Sequence, residues 1–450
     1  MMRFLAVSLF SVLTSLAFSA PPNIVFILVD DMGYADLGCM GSKDIQTPNI
    51  DRIAANGIKF EQFYANAPVC TPTRCGFITG RWQQRVGFEF AMGYQAEQVR
   101  LVDGMPVPEP DIHGLGLPSD QPSIARFLKS GRYATGIFGK WHLGYKDEYS
   151  PLHFGFDEYF GTLLGHTDYY RHLYMDGTNP LRDGLKKAEK EGYLTDLINE
   201  RAAAFITAHR KDPFFLYVPH QAVHAPFQEP DHDPQKLVTK ETMHDGSRKA
   251  YKAMLERVDA GVGMIYNALE KAGVVEDTLI VLSSDNGGER WSDNRPLFHH
   301  KATLWEGGIR VPCLMSWPTT LPKGKVSRQV AITMDLTATF LAAAKVSLPA
   351  DYKADGINLI PILTGSQPEV ERTFFWRINR NNRKQWAIRH GKWKYLNDGN
   401  TMELLYDLEA DVTERRSLYS EHPEIAHDLK TKLAAWEQEM DASPRTFIVK

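Results

Sequence analysis

Cys70-Thr71-Pro72-Thr73-Arg74-Cys75-Gly76-Phe77-Ile78-Thr79-Gly80-Arg81 is the stretch from which the rest of the chain is read. Pro72 suits the first turn of a helix and Gly80 its end, so the spacing predicts a helix with Cys70 just before its N-terminus. Unpaired backbone N–H groups there favour an anion, and Arg74 falls within one turn of Cys70. A cysteine ahead of a helix is, taken alone, most simply a buried structural residue. The spacing argues for more. With four Cys in the chain and Pro near its usual ~5% of residues, Cys-x-Pro-x-Arg arises by chance in roughly one chain in a hundred. Cys70 is therefore the candidate nucleophile.

Working outward, residues 23–29 are a continuous apolar run ending in Asp30-Asp31, the pattern of a buried parallel strand with polar groups at its carboxyl end. Open α/β sheets bind ligands at that edge. Two adjacent carboxylates there are either a solvated turn or, because like charges repel unless neutralised, part of a divalent-cation site. Residues 278–283 repeat the logic, followed by Ser284-Asp285-Asn286-Gly287-Gly288: the glycines let backbone approach a ligand, and Asp285 with Asn286 offers hard oxygen donors. Residues 133–138 read as a third strand, running into Gly139-Lys140-Trp141-His142, and 213–218 as a fourth leading to His220 and His224. Lys301 precedes a further strand over 311–315.

Between these runs, Thr47-Pro48 and Gly57 bound a short helix, 58–64 alternates like a strand, 119–130 reads as a capped helix closed by Gly131, and 194–209, 248–272 and 334–345 have helical spacing. Strands alternating with helices predict an α/β fold: a large, mainly parallel central sheet flanked by helices. Residues 82–118, rich in Gly and Pro without a period, are expected as a loop over the site rather than core. Near Ile360 the pattern changes to short strands over 374–378, 385–389, 393–396 and 404–408 and an amphipathic helix over 424–440. A domain at 20–360 followed by a smaller one at 361–450, with an antiparallel sheet and packed helix, is the expected organisation.

The 450 residues are 43% hydrophobic and 24% charged, enough to bury a large core. A net charge of −4 and a pI near 6.4 argue against a nucleic-acid or membrane-surface binder, which needs a basic footprint. Met1-Met2-Arg3, an apolar run over 4–18 and Ala17-Phe18-Ser19 predict a secretory signal peptide over 1–19 and a secreted or periplasmic protein. The run is shorter than the ~20 residues of a spanning helix, so no membrane insertion is expected. Cys39, Cys70, Cys75 and Cys313 are too few and scattered for a disulfide framework.

A lone His or Lys is ordinary. Taken together, Asp30-Asp31, the Cys70 stretch with its Thr-Gly-Arg, Gly139-Lys140-Trp141-His142, His224, Asp285-Asn286-Gly287 and Lys301 stand in the order and rough spacing of the type I, formylglycine-dependent sulfatases. The chain resembles that family, within the alkaline phosphatase superfamily, and in particular arylsulfatases and N-acetylgalactosamine-6-sulfatase-like carbohydrate sulfatases. The resemblance runs from Asn23 through the C-terminal helix and includes Asn23-Ile24-Val25, Thr47-Pro48-Asn49-Ile50-Asp51, Gly155-Phe156-Asp157 and Glu306-Gly307-Gly308. It implies that a formylglycine-generating or sulfatase-maturating enzyme oxidises Cys70 to formylglycine, and that Asp30, Asp31, Asp285 and Asn286 bind one calcium ion (Ca2+). It further implies that Arg74, Lys140 and Lys301 neutralise the sulfate, that His224 protonates the leaving alcohol, and that His142 removes the proton that lets sulfate depart. One position departs from the family: Gly165 stands before His166, where a hydroxyl residue is frequent.

Two further loops are rich in aromatic and basic side chains, His166, Tyr169, Tyr170, Arg171 and His172 in one, and Arg290, Trp291, Asn294 and Arg295 in the other. Aromatic faces stack on sugar rings and guanidinium groups pair with sulfates, so both loops are expected to line a cleft for a sulfated glycan. The competing expectations are an arylsulfatase of small substrates, a phosphodiesterase or phosphonate ester hydrolase, and a non-catalytic glycan-binding protein.

Overall fold

A ten-stranded mixed sheet carries the buried polar groups at one of its edges. The computed structural model describes residues 21–92, 98–102, 105–108, 115–236, 238–380, 383–399, 401–443 and 447–449; the leader expected over 1–19 lies outside them. From side to side the strands run Lys325–Ser327, Ile58–Phe60, Cys313–Ser316, Thr278–Ser284, Asn23–Val29, Phe214–Pro219, Ala134–Lys140, Glu158–Thr162, Leu181–Asp183, Lys186–Lys187. The five from Thr278–Ser284 to Glu158–Thr162 are mutually parallel, and antiparallel strands close both flanks. The fold is thus the α/β class, with a second, four-stranded antiparallel sheet near the C-terminus.

The unbroken apolar run of the central strand has a direct cause. Ile24, Phe26 and Leu28 pack on one face with Phe77 and Phe340, while Val25, Ile27 and Val29 pack on the other with Val258 and Leu269. A strand buried on both faces has no solvent side for polar residues. The helices Cys70–Thr79 and Thr333–Ala344 cover the first face, and Leu194–Ala208 and Arg248–Ala272 the second.

The C-terminal sheet, Thr373–Arg380, Arg383–His390, Trp393–Asp398 and Met402–Asp407, shares one apolar cluster with Tyr64, Val69 and Leu304 and with Leu429 and Trp436 of the helix Pro423–Ala442. The Trp376 Nε1–H donates to the Ala65 carbonyl at 2.9 Å, so this sheet braces the chain just before Cys70.

Four local expectations are corrected. Residues 58–64 are two strands: Ile58–Phe60 joins the main sheet, and after a bend at Glu61 and Gln62, Phe63–Tyr64 pairs with Arg310–Val311 and Ala331–Ile332 in another. The strand expected over 311–315 is likewise broken at Pro312, which has no N–H for the ladder. The helix expected from 119 begins at Ile124 behind Pro122, with Ser123 extended at its N-cap. Residues 82–118 are not simply an outer loop. Trp82, Val86, Phe88, Phe90, Met92, Leu115 and Leu117 are buried, and Gln98–Val102 and Met105–Pro108 form a hairpin paired to Phe447–Val449; the parts at 93–97, 103–104 and 109–114 lie outside the described residues. Irregular backbone buries apolar side chains without leaving a periodic trace. All four cysteines are free, and among the described residues no helix is long and apolar enough to cross a membrane.

A buried ionic cluster ties the C-terminal sheet to the main body. Lys394 Nζ lies 2.9 Å from Glu306 Oε1 and 2.8 Å from Glu414 Oε1, Tyr64 donates its hydroxyl to Glu306, and Glu414 accepts the Glu306 N–H. Burial, opposed by Lys394, pushes Glu414 up to about 7 from 4.5, so its contribution to stability is full below pH 4.5 and lost as pH rises through 7. For Glu306 burial is outweighed by Lys394, Arg310 and Arg389, holding it at about 2; its contribution is present above pH 4.5 and lost as pH falls through 2. Removing one partner of a buried pair costs ~3–5 kcal/mol. Lys394→Met should lose about that much stability in urea unfolding at pH 8 and less at pH 5.5, where the two carboxyls left facing each other take up protons. An equal loss at both pH values would contradict this account.

Candidate active site

Four neighbouring parallel strands end at the same edge of the sheet, and each delivers polar groups there. Thr278–Ser284 leads to Asp285 and Asn286, Asn23–Val29 to Asp30 and Asp31, Phe214–Pro219 to His224, and Ala134–Lys140 to Lys140 and His142. The helix Cys70–Thr79 enters from one face with every residue buried. Cys70 is its first residue, Val69 its N-cap, and Gly80 ends it in the left-handed region at φ 66°.

The buried charges interlock. Arg74 Nη2 lies 2.8 Å from Asp285 Oδ2 and 3.3 Å from Asp30 Oδ2, and its Nη1–H donates to the Lys140 carbonyl at 2.9 Å. Lys140 Nζ pairs with Asp30 Oδ2. Lys301 Nζ reaches Asp31 Oδ2 at 2.7 Å, and His224 Nε2 approaches the same oxygen at 3.7 Å. Arg74, read from the sequence as a sulfate ligand, thus turns Nη2 to two carboxylates and Nη1 to a main-chain carbonyl. Burial would raise Asp30, but Lys140, His224, Arg74 and Lys301 together pull its carboxyl well below the usual range. Asp31 is pushed up to about 8, by burial first and then by Asp30, Glu289 and Asp285 against Lys301. Burial, with Asp30 adding to it, also raises Asp285.

The donor set fits a hard cation. Asn286 Nδ2 donates to Asp31 Oδ1 at 2.7 Å and to the Gly287 carbonyl at 3.0 Å. Both are acceptors only, so the amide orientation is assigned and Asn286 Oδ1 is left bare. Asp30 Oδ1 is equally buried and unpartnered. Ligand atoms of Asp30, Asp31 and His224 lie within 4.8 Å of one another. Carboxylate and amide oxygens suit calcium, whereas zinc would call for more nitrogen or sulfur.

The histidines are held by backbone. His142 Nε2 lies 3.2 Å from the Met92 carbonyl, which requires the proton on Nε2 and leaves Nδ1, buried and unpartnered, as the acceptor. His224 Nδ1 lies 2.7 Å from the Ala225 carbonyl, which leaves Nε2 facing Asp31. Burial holds both rings well below the usual histidine value; Lys140 and Arg74 add to this at His142, and Lys301 at His224. Asp31 and His142 adopt positive φ, 60° and 56°, a conformation costing ~1–3 kcal/mol that clusters at functional sites.

Residues 22–346 match the family model described as Sulfatase, and residues 294–439 the N-sulphoglucosamine sulphohydrolase C-terminal model. The chain belongs to the sulfatase family. It is a sulfuric ester hydrolase. It is 33% identical to Homo sapiens N-acetylgalactosamine-6-sulfatase over 79% of this chain and 68% of that protein, and 32% identical to Homo sapiens arylsulfatase A over 94% and 84%. The crystal structure of Ps i-CgsB in complex with k-i-k-neocarrahexaose superposes with a TM-score of 0.83 at 31% identity, over 96% of this chain and 95% of that one.

Around the sulfatase centre the two expected substrate loops divide. His166 stacks on His224 at 5.7 Å and meets the Tyr174 ring at a 45° tilt, 4.7 Å away, and burial with Lys140 and Lys301 lowers it to about 3. Arg171 is exposed. His172 is buried with Nε2 on the Gly192 carbonyl, 3.1 Å away, and Tyr169 is buried with its hydroxyl on the His224 carbonyl, so both brace the loop. Arg290 is exposed, whereas Arg295 places Nε and Nη2 on Asp293 although its side chain is 87% exposed. Asn294 ties its own loop to Gly288. Glu289, 3.9 Å from Lys301, and the Met92 carbonyl were not legible in the sequence; a main-chain oxygen carries no residue signal.

Gly165 now has a cause. A Cβ there would sit 2.8 Å from Cε1 and Nε2 of His142, closer than packed atoms approach. The hydroxyl residue frequent in relatives is incompatible with this ring position. Gly165→Ala should push the ring off its Met92 contact, and a ~1 Å displacement of a reacting group costs up to ~10²-fold in rate. The expected result is a fall in kcat of roughly that size with KM little changed and an unaltered melting transition; wild-type kcat in the variant would show that the ring has no part in turnover.

Proposed function

We propose that the enzyme removes sulfate from a sulfated carbohydrate, using a nucleophile made by oxidation of Cys70 and a calcium ion held by Asp30, Asp31, Asp285 and Asn286. The observation that carries the site assignment is the charge balance beside Cys70. Three buried carboxylates, Asp30, Asp31 and Asp285, meet three cations, Arg74, Lys140 and Lys301. With all three carboxyls ionised, as a bound divalent cation would hold them against the upward push of burial on Asp31 and Asp285, the protein charges alone leave no surplus to hold a sulfate ester. A divalent ion held by Asp30, Asp31, Asp285 and Asn286 would supply that surplus and stabilise charge on the sulfate group. The carbohydrate assignment is supported by the names of relatives at 31–33% identity, an N-acetylgalactosamine-6-sulfatase and a neocarrahexaose complex.

Unmodified, Cys70 is a poor nucleophile: burial pushes its thiol up, Lys140 and Lys301 opposing, and the thiolate is the reactive form. Oxidation by a formylglycine-generating or sulfatase-maturating enzyme supplies an aldehyde hydrate with one hydroxyl to attack sulfur and one to expel sulfate. His224 keeps its Nδ1–H on the Ala225 carbonyl, so it acts on the departing alcohol oxygen only as the imidazolium, with a second proton taken up at Nε2; a bound sulfate ester anion favours that form against the downward push of burial. His142 accepts a proton at Nδ1, the nitrogen left bare by its Met92 contact. Lys140 and Lys301 act directly on the Cys70 position, and Arg74 orients Asp30 and Asp285. The leader over 1–19 points to export, where a glycan substrate would be met.

Cys70→Ser, made in a host that converts only cysteine, should lose on the order of 10⁴-fold or more in kcat on sulfate esters. Peptide mass spectrometry should find aldehyde at position 70 in active enzyme; an intact thiol throughout active enzyme would overturn the nucleophile assignment.

Asp285→Ala should abolish calcium binding by calorimetry and sulfate release together, in a chain whose circular dichroism is native. Full activity after chelation to metal-free protein would overturn the calcium assignment. Turnover of a phosphate diester above that of 4-nitrophenyl sulfate would favour the phosphodiesterase alternative.

A further inference from the structure

Two hollows open beside the catalytic edge and reach it through different residues. One, of about 1140 Å³, is lined by Lys43, Arg290, Trp291 and His300, and by Glu289, which lies 3.9 Å from Lys301. The other, of about 490 Å³, is bounded by His166, Arg171, Tyr174 and Lys240, and meets the centre where His166 stacks on His224. Lys301 and His224 converge on one oxygen, Asp31 Oδ2, so the two hollows flank the same point of the catalytic edge. Each falls in or above the roughly 300–1,000 Å³ range of small-molecule sites, large enough for saccharide.

Their charges are not all spent. In the first hollow Arg295 is committed to Asp293, and Arg248 to Asp36 and Asp44. Lys43 and Arg290 engage no carboxylate among the described residues, and neither does Arg171 in the second hollow. Trp291 lines the first hollow, 43% exposed at φ 64°. Its loop is pinned from below: Arg248 Nη1–H donates to the Trp291 carbonyl at 2.7 Å, and the Asp293 N–H donates to Asp36 Oδ1 at 3.1 Å. An indole held out rigidly beside free cations has the chemistry of a sugar-stacking platform for an anionic saccharide.

We propose that the enzyme desulfates interior residues of a polysulfated chain. The sugar bearing the scissile sulfate lies over Cys70, and its neighbours on both sides occupy the two hollows. Trp291 stacks one neighbouring ring, with Lys43 and Arg290 pairing its anionic groups, while Arg171 pairs those of the neighbour on the other side. This rests on the carbohydrate sulfatase reading and specifies its substrate as a chain. An enzyme confined to chain ends needs a wall on one side of its centre; here both sides are hollow, and each offers a basic side chain that engages no carboxylate among the described residues.

The test uses size-defined di-, tetra- and hexasaccharides of carrageenan, chondroitin sulfate, heparin and fucoidan, labelled at the reducing end, with products mapped by tandem mass spectrometry. The expected result is sulfate loss from interior residues of at least one hexasaccharide, with kcat/KM rising with length. Arg290→Ala and Trp291→Ala should each raise KM on that hexasaccharide about tenfold, the loss of one charged hydrogen bond or stacking contact, and by less on the disaccharide. Arg171→Ala should show the same length dependence for substrates extended at the opposite end. Desulfation confined to a terminal residue, or penalties independent of length, would overturn this proposal while leaving the carbohydrate reading intact. Hydrolysis of 4-nitrophenyl sulfate with no oligosaccharide desulfated would overturn both.

Discussion

Three carboxylates, Asp30, Asp31 and Asp285, are buried side by side at the end of two adjacent strands, and the architecture around them is arranged to make that affordable. Buried like charges are tolerated only when matched by close cations. Arg74 comes from a helix on one face of the sheet, Lys140 from a strand two places away, and Lys301 from the loop after Asn286. The helix Cys70–Thr79 must then be wholly buried to place Arg74 between Asp30 and Asp285, and Cys70 at its first turn is carried to the same point. Placement of Cys70 and charge neutralisation are one structural event.

The parallel sheet explains why these groups meet at all. Neighbouring parallel strands end together, so residues separated by more than 250 positions, such as Asp31 and Asn286, are 2.7 Å apart. The second sheet works at a distance: through the Trp376–Ala65 hydrogen bond and the Lys394–Glu306–Glu414 cluster it fixes the chain that leads into Cys70. Its contribution is rigidity of approach.

The histidines depend on main-chain oxygens. Met92 O and Ala225 O set which nitrogen of His142 and His224 carries the proton, and Gly165 leaves space for the His142 ring. The segment after the helix Cys70–Thr79 is consequently part of the interior, since a carbonyl that fixes a tautomer must itself be fixed.

The amino-acid sequence by itself determined the elements and the chemistry. The runs 23–29 and 278–283 with their terminal carboxylates, the helices over 194–209 and 248–272, and the Cys-x-Pro-x-Arg stretch were legible because strand burial, helical period and proline or glycine punctuation are local properties. Tertiary structure alone decided what those residues face. Arg74 turns to carboxylates, His172 and Tyr169 turn inward, Arg295 is spent on Asp293 while Arg290 engages no carboxylate among the described residues, and 82–92 is core. Pairing partners, carbonyl contacts and shared cavities arise between segments distant in the chain, and no local pattern of residue types encodes a contact with a backbone atom or with empty space.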